Sequence, residues 1–565
     1  MPEDPKRIVR AYHERTKHHF QHYAAGPHGL DWANQPDPFR RFLGAELLPL
    51  EIDPPINEGT KGNGGDEPRY GPALIEGGVA PEPVDRATIS RLFFDSLALS
   101  AWKQIETARW SLRVNPSSGN LHPTEGYLVA GPIAGLSDEP GLYHYAPREH
   151  GLELRARLPA QLWERLELPP GAFLVGLTTI HWRESWKYGE RAYRYCNHDA
   201  GHAMATAAGL GWRARLDDDP SSDALGALLG VFDMEGPEAV EPECLIAIDP
   251  RPERPDGNDV ATPVLVPETV AQLRALERFG RPNVLSPEHV TWDVIDAAVE
   301  AARKRESGTP YTGGSVPGAA RPLEPGKIAL RRIVRQRRSA VQMDGRTGMP
   351  AADFFRALEA TMARAGRLPF TAIPWSPRVH LALFVHRVEG LEPGLYWLAR
   401  DPDRLDAARA ACREEFLWER PADAPDELPL FLLFPSNLQG PAAQVSCQQD
   451  IAGRGAFSLG MLADFERSID ELGAWFYPRL FWETGAVGQI LYLEAEALGL
   501  RSTGIGCFFD DPVHALLGIR GHAWQSLYHF TVGGPVDDPR LTTHPAYPSI
   551  AMSGDPAGDS TWTAP

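Results

Sequence analysis

The feature that most constrains this chain is a faint internal repeat. Pro140-Gly141-Leu142-Tyr143 returns as Pro393-Gly394-Leu395-Tyr396, and each copy follows a strand-like run, at 126–130 and at 379–385. Further on, Ala227-Leu228-Leu229-Gly230 returns as Ala515-Leu516-Leu517-Gly518, each ahead of another strand-like run, at 244–248 and at 527–532. Single four-residue matches arise by chance. Two in the same order, with the same flanks, point to two homologous units. The period is far above the ~50 residues of solenoid repeats, so a stacked array is excluded. At 565 residues the chain has length enough for two large cores. The expected layout is an N-terminal extension (1–84), unit one (85–265), a helical connector and linker (266–325), unit two (326–545) and a tail (546–565). Turn-forming residues at 307–310 and 312–318 supply the linker. Helices are expected at 87–100, 192–208, 351–365 and 484–498; in the last, Val487, Ile490, Leu491, Leu493 and Leu498 recur at helical spacing. Helices and strands do not alternate strictly. The expected class is therefore α+β, a central mixed or antiparallel sheet flanked by helices in each unit.

Composition removes several function classes. A net charge of −19 argues against a surface that tracks a nucleic-acid backbone. No apolar run approaches the roughly 20 residues of a membrane helix, and the charged first ten residues hold no signal-peptide core. Five cysteines (Cys196, Cys244, Cys412, Cys447 and Cys507) are odd in number and scattered, with no C-x-x-C pair. Neither a disulfide framework nor a structural zinc site is expected, and a cytoplasmic location follows. The loop at 57–67 is glycine-rich but lacks a phosphate-loop pattern, which makes it a solvated surface loop. His18 and His22 are spaced to share a helix face. With no third ligand they read as a packed or solvated cluster, and no metal is expected.

Two segments carry chemistry. Arg113-Val-Asn-Pro116-Ser117-Ser118-Gly119-Asn120-Leu-His122-Pro123 combines small residues with polar ones, between an expected helix and the strand around Tyr127. Backbone N–H groups there can approach a flat ligand, and Asn120 and two hydroxyls add donors and acceptors. The same residue types also make an ordinary turn. Arg335-Gln336-Arg337-Arg338-Ser339 opens unit two. Its guanidinium forks suit a phosphate monoester, though a basic helix start is equally simple.

Together these segments resemble the FMN-dependent nitroreductase superfamily. Pro116–Pro123 is similar to that family's P-S-S-x-N-x-Q-P loop against the flavin ring, with His122 where Gln is frequent. Arg337, Arg338 and Ser339 resemble its R-R-S-x-R phosphate segment, with Val341 in place of the last Arg. The resemblance further implies Arg540, after Gly533-Gly534-Pro535, as a phosphate ligand, and Thr503-Gly504-Ile505-Gly506-Cys507 as a loop over the other flavin face. Glu125-Gly126-Tyr127 and Lys187-Tyr188-Gly189 followed by Arg191-Ala-Tyr193-Arg194 resemble the SagB/ThcOx branch of azoline dehydrogenases, where the Lys-Tyr pair serves in proton removal. A desolvated Lys suits that role, although the stretch also reads as the charged start of an amphipathic helix.

The units lack complementary parts. Unit one has the ring loop, but Tyr12-His13-Glu14-Arg15-Thr16-Lys17 is a poor R-R-S segment. Unit two has R-R-S, but Ile373-Pro374-Trp375-Ser376-Pro377-Arg378 stands where the ring loop belongs. Homodimers of the resembled family share each flavin between subunits. The expectation is a fused pseudo-dimer with one composite FMN site, made by Arg113, Pro116, Ser117, Ser118 and Asn120 from unit one and Arg337, Arg338, Ser339, Ile505, Gly506 and Arg540 from unit two. Lys187 and Tyr188 would be catalytic toward a small molecule or modified peptide, and further homodimerisation stays open. An NAD(P)H-dependent nitro or quinone reductase, and a non-catalytic scaffold for a peptide-modifying partner, are the alternatives. Gln448, Gln449 and Asp450 are weaker pocket candidates. Cys447 reads as a nucleophile or, more simply, a buried structural cysteine.

Overall fold

The computed structural model describes residues 4–52, 67–204, 210–251, 260–311, 314–321, 323 and 328–547. The glycine-rich loop up to 66, the end of the 192–208 helix, linker residues 312–313 and the tail beyond 547 lie outside the described residues.

Unit one is built on β1 (Thr124–Ala130), β2 (Gly141–Ala146), β3 (Gly151–Arg157), β4 (Phe173–Thr179), β5 (Arg213–Asp217) and β6 (Glu241–Asp249). Unit two is built on β7 (Val379–Val385), β8 (Gly394–Leu398), β9 (Leu430–Pro435), β10 (Phe457–Asp464), β11 (Arg501–Ile505) and β12 (Trp524–Gly533). The first sheet runs β3-β2-β1-β4-β6-β5, with Leu47–Pro49 added outside β3; the second runs β9-β8-β7-β10-β12-β11. Strand for strand the orders coincide, and every pairing in both sheets is antiparallel. The helices used below are α1 (Pro5–Arg15), α2 (His181–Tyr188), α3 (Ala192–Met204), α4 (Ser222–Leu229), α5 (Leu330–Gln336), α6 (Phe465–Leu472), α7 (Tyr477–Ala497) and α8 (Asp510–Leu517).

The sequence repeats fall at equivalent points. Gly141 and Gly394 open β2 and β8. Gly230 and Gly518 end α4 and α8 at φ 66° and 83°, a left-handed cap that a Cβ disfavours. Side chains alternate across each sheet. Leu128 and Val175 of unit one and Leu381 and Met461 of unit two enter one shared apolar core. Tyr127 and Val129, and likewise Ala382 and Phe384, turn to separate outer clusters.

The units meet where α3 crosses α7. A Cβ on Gly201 would lie 2.2 Å from the Trp482 carbonyl oxygen, and one on Gly485 2.2 Å from that of His198, so the backbones touch through this glycine pair. Helix α7 starts at Tyr477, earlier than expected, with Pro478 in its first turn. It is buried nearly all round, so its early turns lack the one-sided stripe that marks an amphipathic helix. The helix expected at 87–100 covers only Arg86–Phe94, capped by Asp85, and the chain turns into a strand at Leu99. The one expected at 351–365 stops at Ala360.

The termini cross over. On α1, Arg10 pairs with Glu466 of α6 at 2.6 Å. Thr542–His544 pairs with the unit-one strand Leu99–Ile105, and the Tyr547 hydroxyl donates to the Pro147 carbonyl at 2.6 Å. Among the described residues no helix is long and apolar enough to cross a membrane.

Candidate functional site

A hairpin, Leu99–Ile105 with Ala108–Arg113, leads into the ring-loop segment in place of the expected helix. Arg113 is buried and braces the loop: its Nη1 donates to the Thr124 carbonyl at 3.2 Å and its Nη2 to that of Pro38 at 2.5 Å. Gly119 and Asn120 take left-handed φ of 63° and 58°, which bends the chain sharply. Ser117 Oγ accepts from the His122 amide at 2.8 Å and donates to Glu184 Oε1 at 3.4 Å, and the Ser118 amide donates to Asp199 Oδ1 at 3.4 Å. The loop therefore rests on two carboxyl groups, one from α2 and one from α3.

Those acids are nearly dry. Burial raises Asp199 to about 8, against hydrogen bonds from Ser117 and Ser118. Burial and then the charge of Asp199 push Glu184 well above the carboxylate range. Asp199 Oδ2 and Glu184 Oε2 are buried with no hydrogen-bond partner. Neither residue was singled out from the sequence. The available signal was helical spacing: Tyr195, Asp199 and His202 share one face of α3, and all three line the cavity described below.

A cationic segment faces the loop from unit two. Residues 337–339 follow α5 and are pinned to β11 through Ser339 beside Ser502 and the Ala340 amide on the Ser502 carbonyl at 3.1 Å. Arg337 is buried, lies 4.8 Å from the Tyr492 ring centroid, and donates to the Arg113 carbonyl at 3.3 Å. Arg338 caps the carbonyls of Arg335, Arg337 and Ser100. The Ser339 and Tyr492 hydroxyls are 2.8 Å apart. Among the described residues Arg337 and Arg338 make no ion pair, and Arg337 Nε is buried without a partner. Burial, then Arg337 and Arg501, push the pKa of Arg338 down. A guanidinium does not give up its proton in a protein, so the three cations stay charged here, with Glu496 the nearby anion on Arg501 at 3.4 Å.

Loop and arginines line one cavity of about 1150 Å³. It gathers Arg113, Pro116, Ser117, Ser118, Asn120, Tyr188, Arg337, Arg338, Ser339, Ile505 and Gly506 of the sequence candidates. The glycine-containing segment is the end of strand β11 with the residues just after it, not a separate loop. A Cβ on Gly506 would stand 2.3 Å from Tyr195, so only glycine fits there. Of the two candidate catalytic residues Tyr188 lines the cavity and Lys187 does not, but both pack on the ring loop: a Cβ on Gly119 would meet Tyr188 Oη at 2.8 Å and Lys187 Nζ at 3.0 Å. Gln449 lines the cavity, whereas Gln448 and Asp450 do not.

Arg540 is placed elsewhere than expected. Its side chain is 74% exposed and pairs with Asp538 at 2.7 Å, outside the cavity wall. A local Asp two residues away captures the guanidinium. The basic residues that do line the cavity beyond 337–338 include Arg501 and Lys103. His18 and His22 share no helix face, because α1 ends at Arg15; His18 Nδ1 accepts from the Ala24 amide at 2.9 Å.

The nitroreductase family model matches residues 390–534, within unit two. A Methanocaldococcus jannaschii protein named as a nitroreductase is 27% identical over 108 residues, 17% of this chain and 54% of the relative, so the chain spans about half that relative's length. The crystal structure of a protein named as a nitroreductase from Anabaena variabilis superposes with a TM-score of 0.64 at 21% identity, covering 94% of this chain and 99% of that one. One from Ralstonia eutropha gives 0.27 at 14% identity, covering 41% of this chain and 100% of that one. With two sheets of one strand order joined in a single chain, this protein is a tandem pair of the nitroreductase fold, and its residues 390–534 match that family's model.

Proposed function

We propose that the chain is an FMN-dependent oxidoreductase with one composite flavin site, acting on a small organic molecule or a modified peptide. The observation that carries this reading is the single cavity in which the Pro116–Asn120 segment of unit one meets Arg337, Arg338 and Ser339 of unit two. The residues fit the cofactor. Partnerless Arg337 Nε offers a buried donor for a phosphate, and the sharp bend at Gly119 and Asn120 brings backbone close to a flat ring. Arg501 takes the place proposed from sequence for Arg540. FMN bound there supplies two-electron chemistry by hydride exchange.

The finer reading is azoline-to-azole oxidation, which rests on the likeness of Lys187-Tyr188-Gly189 to the azoline dehydrogenases. That reaction removes a hydride and a proton from the substrate. Burial and the neighbouring Glu184 keep Tyr188 a phenol, so its hydroxyl donates a hydrogen bond. On this reading Lys187, whose Nζ lies beside Gly119 although the residue does not line the cavity, takes the proton once substrate binding opens a path to it. The cavity exceeds the roughly 300–1,000 Å³ of ordinary ligand pockets, which leaves room for a substrate over the ring.

Titration of the purified chain with FMN should saturate at one flavin per chain, whereas two tight sites would refute the single-site reading. The flavin-loaded protein should then oxidise a thiazoline-containing peptide, and Lys187→Met should slow it by about 100-fold or more with FMN retained. No oxidation by the loaded wild type would remove the azoline reading and leave the FMN reading standing.

A further inference from the structure

The five cysteines look unrelated in sequence, yet the fold brings two of them together. Cys447 follows the helix Gln439–Val445, and Cys507 follows β11; their sulfurs lie 2.7 Å apart. These two alone are partly exposed, while Cys196, Cys244 and Cys412 are buried. Cys507 lines the large cavity, so a small molecule that enters the cavity reaches its sulfur.

The surroundings are those of a reactive pair. Arg191 hydrogen-bonds the Gly506 carbonyl at 3.2 Å and pairs with Asp510 at 3.1 Å, so an ion pair stands behind the turn that carries Cys507, its cation favouring the thiolate and its anion opposing it. The hydrogen bond shared with Cys447, and then Arg191, draw the Cys507 thiol below its ordinary range against the effect of burial. The same shared hydrogen bond and burial push Cys447 up. Cys507 lines the cavity and Cys447 does not, which marks Cys507 as the attacking sulfur and Cys447 as the resolving one. Cys447 and Gln448 both hold left-handed φ, 54° and 58°, a conformation that non-glycine residues seldom keep without cause. The Gln449 side-chain amide donates to the Cys507 carbonyl at 3.0 Å and fixes the cysteine-bearing turn against the strand end.

We propose that Cys447 and Cys507 form a reversible dithiol–disulfide couple in the cavity wall, oxidised by low-molecular-weight disulfides. The Cys507 thiolate attacks one sulfur of RSSR, forms a mixed disulfide and expels RS⁻. Cys447, its proton passed to solvent, attacks the Cys507 sulfur and expels the second RS⁻. The two thiolates leave and are protonated to two RSH, so the protein loses two protons and two electrons to one RSSR. Closing the bond ties the Cys447–Gln449 turn to the end of β11, two segments of the same cavity wall.

The test uses the full chain, with no flavin required, so its outcome is independent of the FMN titration. The reduced protein is incubated with oxidised glutathione, quenched with N-ethylmaleimide and analysed by intact mass and peptide mapping. The expected result is loss of two alkylatable thiols and a peptide cross-linked through Cys447 and Cys507, both reversed by dithiothreitol. Cys447→Ser should stop at a single glutathione adduct on Cys507. Wild-type protein in which both cysteines stay alkylatable, or in which one carries glutathione and no cross-link forms, would overturn the proposal.

Discussion

The composite cavity and its pseudo-symmetric counterpart show what fusion has done to the two halves. Equal steps back from the crossing glycines, Gly201 and Gly485, pair Asp199 with Glu483, Gly189 with Gly473, Tyr188 with Leu472 and Lys187 with Glu471. At the first position Asp199 supports the ring loop with one oxygen and leaves the other unpartnered. At the second, Glu483 accepts from the Arg378 and Val379 amides and is neutralised by buried Arg400. Trp375, in the segment that answers to the ring loop, is only 2% exposed and packs against Phe476. One position keeps a large cavity, and at the other Trp375 and the Glu483–Arg400 ion pair are packed into the core. Open volume, more than fold or unmet hydrogen bonds, separates the two positions.

The sharpest way to break this contrast is to remove the arginines proposed to hold the FMN phosphate. Charge-assisted hydrogen bonds contribute about 1.5–3 kcal/mol each, so Arg337→Ala with Arg338→Ala should weaken FMN binding by about 100-fold or more. Flavin fluorescence during equilibrium dialysis measures this, and unchanged retention would mean the halves are assigned wrongly. Next comes Arg400→Ala, which strands the buried Glu483 charge. Removing one partner of such a pair costs about 3–5 kcal/mol, so denaturant unfolding should show a large loss while the flavin count stays the same. A loss of flavin in that variant would show that the second position still functions.

The smallest effect concerns pH. The folded pKa of Asp199 is raised from 3.8 to about 8, so the native state holds a proton that the unfolded chain has released. Stability should fall as pH rises across that window. Asp199→Asn should flatten the slope and gain about 1–3 kcal/mol near pH 8. A melting temperature in wild type that is flat from pH 5 to 8 would argue against a dry carboxyl there.

Much of this was legible in the sequence because local chemistry dictated it. The duplicated tetrapeptides survive because a left-handed helix cap needs Gly230 and Gly518, whatever surrounds them. The Pro116–Asn120 loop and the Arg337–Ser339 segment were readable as candidates because each gathers its polar groups in a few consecutive residues, and both line one cavity. Arg540 was misplaced because position relative to a strand end does not tell which anion is nearer, and Asp538 is. Asp199 and Glu184 were passed over because a carboxylate on a helix looks solvated until the partner unit covers it. The Cys447–Cys507 contact was invisible because neither residue is near the other until β11 and the turn meet. Helix α7 was cut short because burial on every side erases the periodicity that marks a helix.

The exchange of termini carries one more consequence. Helix α1 belongs to the first half and grips α6 of the second, while Thr542–His544 and Tyr547 belong to the second half and close on the hairpin of the first. A chain severed between the halves would still be two interlocked pieces. The linker therefore works as a counting device: it fixes the halves at one to one. A symmetric dimer makes every substitution twice, but this chain makes each only once, so the two halves are free to diverge in sequence while they keep one strand order.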